Sequence, residues 1–146
     1  MQFQSFNFPN RFIRHRNFEG EITQRGIGPS DDFNFTIVER SRGRVSLKAT
    51  NVPGHFLRHS NFKIVLGKSA GSGDALFVRD STFFLEQGLA DSSGISLRSV
   101  NFPDRYVRHR NFKLFLEPRD SPNLAPDATF FRSVPLADPV LIPASD

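Results

Sequence analysis

Short apolar runs, each only a few residues long, are set among polar residues along most of this chain. Phe62, Ile64 and Leu66 alternate with polar or smaller neighbours, and Phe112, Leu114 and Leu116 do the same. This period of two predicts strands with one face buried, and it places those three residues of each run together on that face. The turn sequences NFPN, NVPG and NFPD precede the runs, and a polar loop such as GKSAGSGD follows. Another short apolar run comes next, and then a strand such as VSLKA or ISLRS. Aromatic residues with scattered Gly and Pro suit many short strands joined by turns better than long helices.

The same order of elements occurs three times. Ser5 to Phe18 reads SFNFPNRFIRHRNF, Ala49 to Phe62 reads ATNVPGHFLRHSNF, and Ser99 to Phe112 reads SVNFPDRYVRHRNF. Asn7, Asn51 and Asn101 correspond, as do Pro9, Pro53 and Pro103, and His15, His59 and His109. A second element, Asp-x-x-Phe, follows each time: Asp32 to Phe35, Asp80 to Phe83, and Asp127 to Phe130. Asp74 to Phe77 fits the same pattern, but DSTFFLEQGLAD runs in step with DATFFRSVPLAD, which favours Asp80. Repeats of roughly 1–44, 45–94 and 95–146 follow, within a single domain spanning 1–146.

Three repeats of about four strands each narrow the architecture. A propeller typically needs at least about four blades, and an open array would leave sheet edges unpaired. The expected fold is all-β, a β-trefoil: six strands close a barrel and three hairpins cap it. Equivalent Phe residues, drawn from 17 Phe in the chain, are expected to meet near the axis and fill the barrel.

Composition changes this picture only at the margins. A chain of 146 residues can bury one core. It has no Cys, which excludes disulfides and sulfur-ligated zinc. The formal charge is +4, with Arg scattered through all repeats and no basic arm, so no nucleic-acid partner is expected. No apolar stretch approaches the roughly 20 residues of a membrane span, and no membrane partner is expected. MQFQSFNFPN has neither the basic nor the apolar region of a signal peptide. The expected compartment is extracellular for a module of a secreted enzyme, and cytoplasmic if Met1 is a native start. A monomer without cofactor or metal is expected.

The repeated His is the candidate chemistry. In an extended strand His15 and Asn17 share a face with Ile13, while Arg14 and Arg16 face the other way with Phe12. A bulge or a strand end near His15 would resolve this mixture. The N-x-P residues read as turn formers, and the recurring Arg14, Arg58 and Arg108 as a solvated face.

The pattern N-x-P-x-x-[FY]-[ILV]-R-H-x-N-F followed by D-x-x-F closely resembles the arabinose-binding module of α-L-arabinofuranosidase B, carbohydrate-binding module family 42. The resemblance covers Phe3 to about Asp138 in three copies. It implies a β-trefoil that binds arabinofuranose side chains of arabinoxylan and arabinan, with one pocket per repeat. The implied pairs are His15 with Asp32, His59 with Asp80, and His109 with Asp127. Asn17, Asn61 and Asn111 either contribute polar groups or set the turn, and a nearby Phe or Tyr106 supplies an apolar wall. Carboxylate and imidazole suit neighbouring sugar hydroxyls. Asp127→Ala is expected to remove one site and leave the fold intact. Repeat one departs in its second element, with Asp31 and Asp32 adjacent, and repeat two has Ser60 and an additional His55. Two working pockets are therefore expected more readily than three.

No catalytic residues are expected. A glycosidase sets two carboxylates about one bond, whereas here one Asp recurs per repeat. The rival reading is a protein- or anion-binding trefoil that uses the repeated Arg surface and keeps vestigial sugar pockets.

Overall fold

The computed structural model describes residues 1–71 and 73–134. The end of the third repeat, 135–146, with the PLAD segment used in the repeat alignment, lies outside the described residues. Among the described residues there are twelve strands and only short helical turns.

The strands are β1 (Gln2–Ser5), β2 (Arg11–Arg16), β3 (Glu19–Gln24), β4 (Phe35–Glu39), β5 (Arg44–Ala49), β6 (His55–Ser60), β7 (Lys63–Lys68), β8 (Phe83–Gln87), β9 (Ile95–Ser99), β10 (Arg105–Arg110), β11 (Lys113–Pro118) and β12 (Phe130–Ser133). Two short helices, α1 (Ala75–Asp80) and α2 (Leu124–Asp127), and a 3-10 turn at Ser30–Phe33 each precede a strand.

A closed barrel organises the sheet. β1 pairs with β12, β12 with β9, β9 with β8, β8 with β5, and β5 with β4. The ring closes where Phe35 N donates to Met1 O at 3.0 Å and the Met1 amino group donates to Phe35 O at 3.0 Å. Closure removes the exposed edges that an open sheet would leave. The hairpins β2–β3, β6–β7 and β10–β11 meet one another at one end, pairing Glu19 with Val65, Lys63 with Phe115 and Lys113 with Glu21.

Phe35, Phe83 and Phe130, the aromatic residues of the Asp-x-x-Phe elements, are buried in one core with Leu47 and Leu97. Ile64 and Leu114 join them from the hairpins. Gly20 stands where those two repeats carry Ile64 and Leu114. A Cβ there would lie 3.0 Å from Leu114 Cδ1 and 3.1 Å from Ile64 Cγ2, so one hairpin gives up its side chain to the other two.

The hairpin tips correct the expected strand faces. Phe62 and Phe112 do not share the core face with Ile64 and Leu114; like Phe18, they are exposed. Each tip is a two-residue turn with both residues at positive φ: Asn17 and Phe18 at 53° and 61°, Asn61 and Phe62 at 52° and 61°, Asn111 and Phe112 at 52° and 63°. A tight hairpin needs this conformation, which Asn tolerates and Phe does not favour. Long-range hydrogen bonds hold it in place. Leu66 N donates to Phe18 O, Leu116 N to Phe62 O and Ile22 N to Phe112 O, each at 2.8 Å. The Phe carbonyl thus ties each hairpin to the next around the ring. The strand end at Arg16 also resolves the mixed face of β2: Ile13 enters the core, and His15 lies at the mouth of the turn.

Candidate functional site

Each Asp sits on a short helical segment just before a core strand. Asp32 lies in the 3-10 turn, Asp80 ends α1 and Asp127 ends α2. The Phe three residues on anchors in the core, and this fixes where the carboxylate stands. Asp74, the alternative in repeat two, is instead the N-cap of α1, accepting from Phe77 N at 3.1 Å.

The same four side chains converge three times. At the first site, Arg14 Nη2 donates to Asp32 Oδ2 at 2.5 Å and Asn51 Nδ2 donates to Asp32 Oδ1 at 2.7 Å. The Asn51 Oδ1 oxygen faces His15 Nε2 at 2.8 Å. At the second site, Arg58 Nη2 meets Asp80 Oδ2 at 2.5 Å, Asn101 Nδ2 meets Asp80 Oδ1 at 2.8 Å, and His59 Nε2 lies 2.9 Å from Asn101 Oδ1. At the third, Arg108 bonds Asp127 Oδ2, Asn7 Nδ2 bonds Asp127 Oδ1 at 2.7 Å, and His109 Nε2 lies 2.8 Å from Asn7 Oδ1. Each His therefore comes within 3.4–3.6 Å of its Asp. The Asn comes from the following repeat, and Asn7 closes the circle back to the third.

Hydrogen-bond logic assigns the imidazole. An ionised carboxylate only accepts, so the Asn amide nitrogen faces the Asp and its oxygen faces the ring. Nε2 then carries the hydrogen and donates. Nδ1 of each ring has no protein partner among the described residues. Nor is it sealed away, because among those residues the only buried side-chain polar atom without a partner is Arg44 Nε. Burial pushes the His109 pKa below its ordinary 6.5, against the pull of the Asp127 carboxylate and with some help from the Arg108 charge. His109 is therefore neutral at pH 7, with Nδ1 as an open acceptor.

Two roles read from the sequence are corrected here. Arg14 and Arg108 are not a solvated face: their side chains are 3% and 6% exposed and ion-paired to Asp32 and Asp127. Each guanidinium folds around its strand, with Nε donating to the carbonyl of the adjacent His15, His59 or His109 at 3.0–3.1 Å. Arg58 is likewise ion-paired, to Asp80, with its side chain 25% exposed. Asn7, Asn51 and Asn101 also do more than shape turns, since their side chains link Asp to His. Only a partner one repeat away reveals this role, and the sole hint in the sequence is that the Asn recurs in step with the His.

Aromatic rings flank two sites. Phe8 and Phe112 pack edge-to-face with centroids 5.3 Å apart, and Phe8 lies 5.4 Å from the His109 ring. Phe62 and Phe102 do the same at 5.2 Å, with Phe102 5.3 Å from His59. Arg11 and Arg105 lie over Phe112 and Phe62, each 3.7 Å from the ring centroid. At the first site the equivalent residues are Val52 and His55, with His55 5.8 Å from Phe18. Tyr106, expected as a wall, is buried with its hydroxyl donating to Glu86 at 3.1 Å. Asn17, Asn61 and Asn111 occupy the first positions of the hairpin turns. A cavity of about 700 Å³ opens at the third site, lined by Phe8, His109, Asn111, Phe112, Glu117 and Asp127 among others.

The family model described as the Alpha-L-arabinofuranosidase B (ABFB) domain matches residues 1–132. The chain belongs to that family. Solved structures with the same fold include a GH54 α-L-arabinofuranosidase soaked with 4-nitrophenyl α-L-arabinofuranoside, at 22% identity and a TM-score of 0.76. Another is an arabinofuranosidase complexed with arabinofuranosyl-α-1,2-xylobiose, at 23% identity and a TM-score of 0.76. Each match covers 89% of this chain but only 30% of the enzyme. A designed three-fold symmetric protein, ThreeFoil, matches over 89% of this chain and 94% of its own, at 10% identity and a TM-score of 0.67. No curated protein matches.

Proposed function

We propose that this chain is a non-catalytic sugar-binding domain: one β-trefoil of three pseudo-equivalent repeats (1–44, 45–94, 95–146) that recognises arabinofuranosyl side chains of arabinoxylan or arabinan. The observation that carries this reading is the His–Asn–Asp–Arg network built three times, twice beside an edge-to-face Phe pair. The paired Arg and Asn orient Asp32, Asp80 and Asp127, and the remaining lone pairs of each carboxylate accept from sugar hydroxyls. Nδ1 of His15, His59 or His109 accepts from another hydroxyl, and the exposed Phe offers an apolar wall to the ring carbons. Asn111 lines the third cavity from its hairpin tip, and Asn17 and Asn61 are assigned the same place at the other two sites. The third cavity, at about 700 Å³, is of ligand-pocket size.

A non-catalytic role fits the carboxylates. Hydrolysis needs an acid and a nucleophile or base about one bond. Glu117, the second carboxylate at the third cavity, is ion-paired to Arg108 at 3.0 Å and to Arg110 at 2.7 Å. Thr23 and Gly67 stand at its place in the hairpins of the other repeats. Weak equivalent sites gain retention on a branched polymer by avidity.

Titration calorimetry with an arabinose-branched xylo-oligosaccharide, at low and high salt, tests this. Binding that persists in high salt is expected, because the ligand is neutral. Phe8→Ala, which leaves the Arg108–Asp127 pair untouched, is expected to weaken the third site about tenfold. Absence of binding at either salt sinks the reading.

A further inference from the structure

The carboxylate-paired arginines contrast with a second group. Arg40, Arg44 and Arg79 surround a cleft of about 280 Å³ between the β4–β5 connection and α1, with Val78, Thr82 and Val100 completing its wall. Among the described residues none of these three guanidinium groups has a carboxylate within ion-pair distance, whereas Arg14, Arg16, Arg58, Arg98, Arg108 and Arg110 all do. Like charges brought together without a counter-ion repel. The Arg44 guanidinium also carries the one buried unpaired side-chain nitrogen among those residues.

The equivalent place one repeat later explains why the cleft is open. There, Ser96 and Thr129 form a shelf that the β8–β9 connection seals: Leu89 N donates to Ser96 Oγ at 3.1 Å and Ala90 N to Thr129 Oγ1 at 3.0 Å. The β4–β5 connection is shorter and makes no such cover. Its shelf is Ser46 and Thr82, with hydroxyls 3.4 Å apart, and it is reached by Arg40 Nε, which donates to Ser46 Oγ at 3.0 Å. A guanidinium has replaced the backbone plug, and space remains above it.

We propose that this cleft is an oxyanion site that takes the carboxylate or sulfate group of an acidic saccharide, separate from the three His–Asp sites. Guanidinium forks match such groups with paired, charge-assisted hydrogen bonds. Val78 and Val100 give the sugar ring an apolar rest beside them. The arginines involved are not the ones repeated in register, so among the described residues the site occurs once, and it adds charge selectivity to a surface otherwise suited to neutral sugars.

The test titrates the whole chain with three probes: an oligogalacturonide, a sulfated oligosaccharide and a neutral xylo-oligosaccharide. One or both acidic probes are expected to bind, more weakly as salt rises, and which of them binds identifies the anion. Arg79→Gln, at an exposed position, and Arg44→Gln are each expected to reduce acidic-probe binding about tenfold. Both are expected to leave binding of an arabinose-branched oligosaccharide unchanged. No binding of either acidic probe overturns the proposal, as does binding that both variants leave intact. The arabinose-branched control separates this result from failure of the sugar reading or of folding.

Discussion

The first and third sites share the same polar network, including a loop carbonyl that accepts from the Arg Nη1, and differ in the rings and the open space beside it. At the third, Phe8 and Phe112 stand beside His109 and a cavity opens. At the first, Val52 replaces the wall ring, and the loop through Gly28 lies against Arg14, whose Nη1 donates to Ile27 O at 2.7 Å. A Cβ on Gly28, which sits at φ +83°, would come within 2.8 Å of that guanidinium. The second site resembles the third in its rings but not in its charge: Gly67 replaces Glu117, and the Arg58 side chain is 25% exposed. The network is thus common to all three, while access and apolar contact vary. The constant part ties each repeat to the next and so serves the fold, and under the sugar-binding proposal the variable part decides which copies bind.

Deleting a network carboxylate breaks this comparison most severely. Asp127→Ala takes from Arg108, which is 6% exposed, one of its two carboxylate partners, leaving Glu117, and it unties Asn7, so about 2–3 kcal/mol of stability is expected to go. This revises the expectation from sequence that the fold would be indifferent. Asp80→Ala leaves a guanidinium that water already reaches, and a loss of about 1–2 kcal/mol is expected. Denaturant melts of the two variants check the order, and equal losses would mean that burial of the arginine is not what matters.

Much of this was legible in the chain. The His and Asp of each repeat are close in space, and Phe35, Phe83 and Phe130 fill the core, because both elements recur in register. What stayed hidden depends on neighbours that the local pattern does not contain. Arg14 reads as solvated until Asp32 is placed against it, and Asn51 reads as a turn residue until His15 from the previous repeat arrives. Phe62 and Phe112 read as strand residues because alternation continues through them. The turn falls there because Asn accepts positive φ and long-range bonds to each Phe carbonyl hold the next residue in it.

A gain of function sharpens the comparison next. Val52→Phe places an aromatic ring where Phe8 and Phe102 stand at the other sites. If the missing wall is what limits the first site, its affinity for an arabinose-branched oligosaccharide is expected to rise about tenfold, and the titration stoichiometry by one. Unchanged stoichiometry would place the block in the Gly28 loop instead.

The smallest effect is set by protons. The His109 pKa lies below 6.5 in the fold because burial disfavours its charged form. The sign follows: the unfolded chain takes up this proton first as pH falls, so stability is full above about 6.5 and declines below it, towards the folded pKa. Binding at the third site is expected to fall lower still, as pH passes through the folded pKa, because protonation converts Nδ1 from acceptor to donor. In His109→Gln the side-chain amide nitrogen still donates to Asn7 Oδ1 but does not titrate. Calorimetry across that range should show the acid loss of third-site affinity in the parent chain and not in His109→Gln. An acid loss that persists in the variant would move the titrating group to another residue and remove His109 from the contact with sugar.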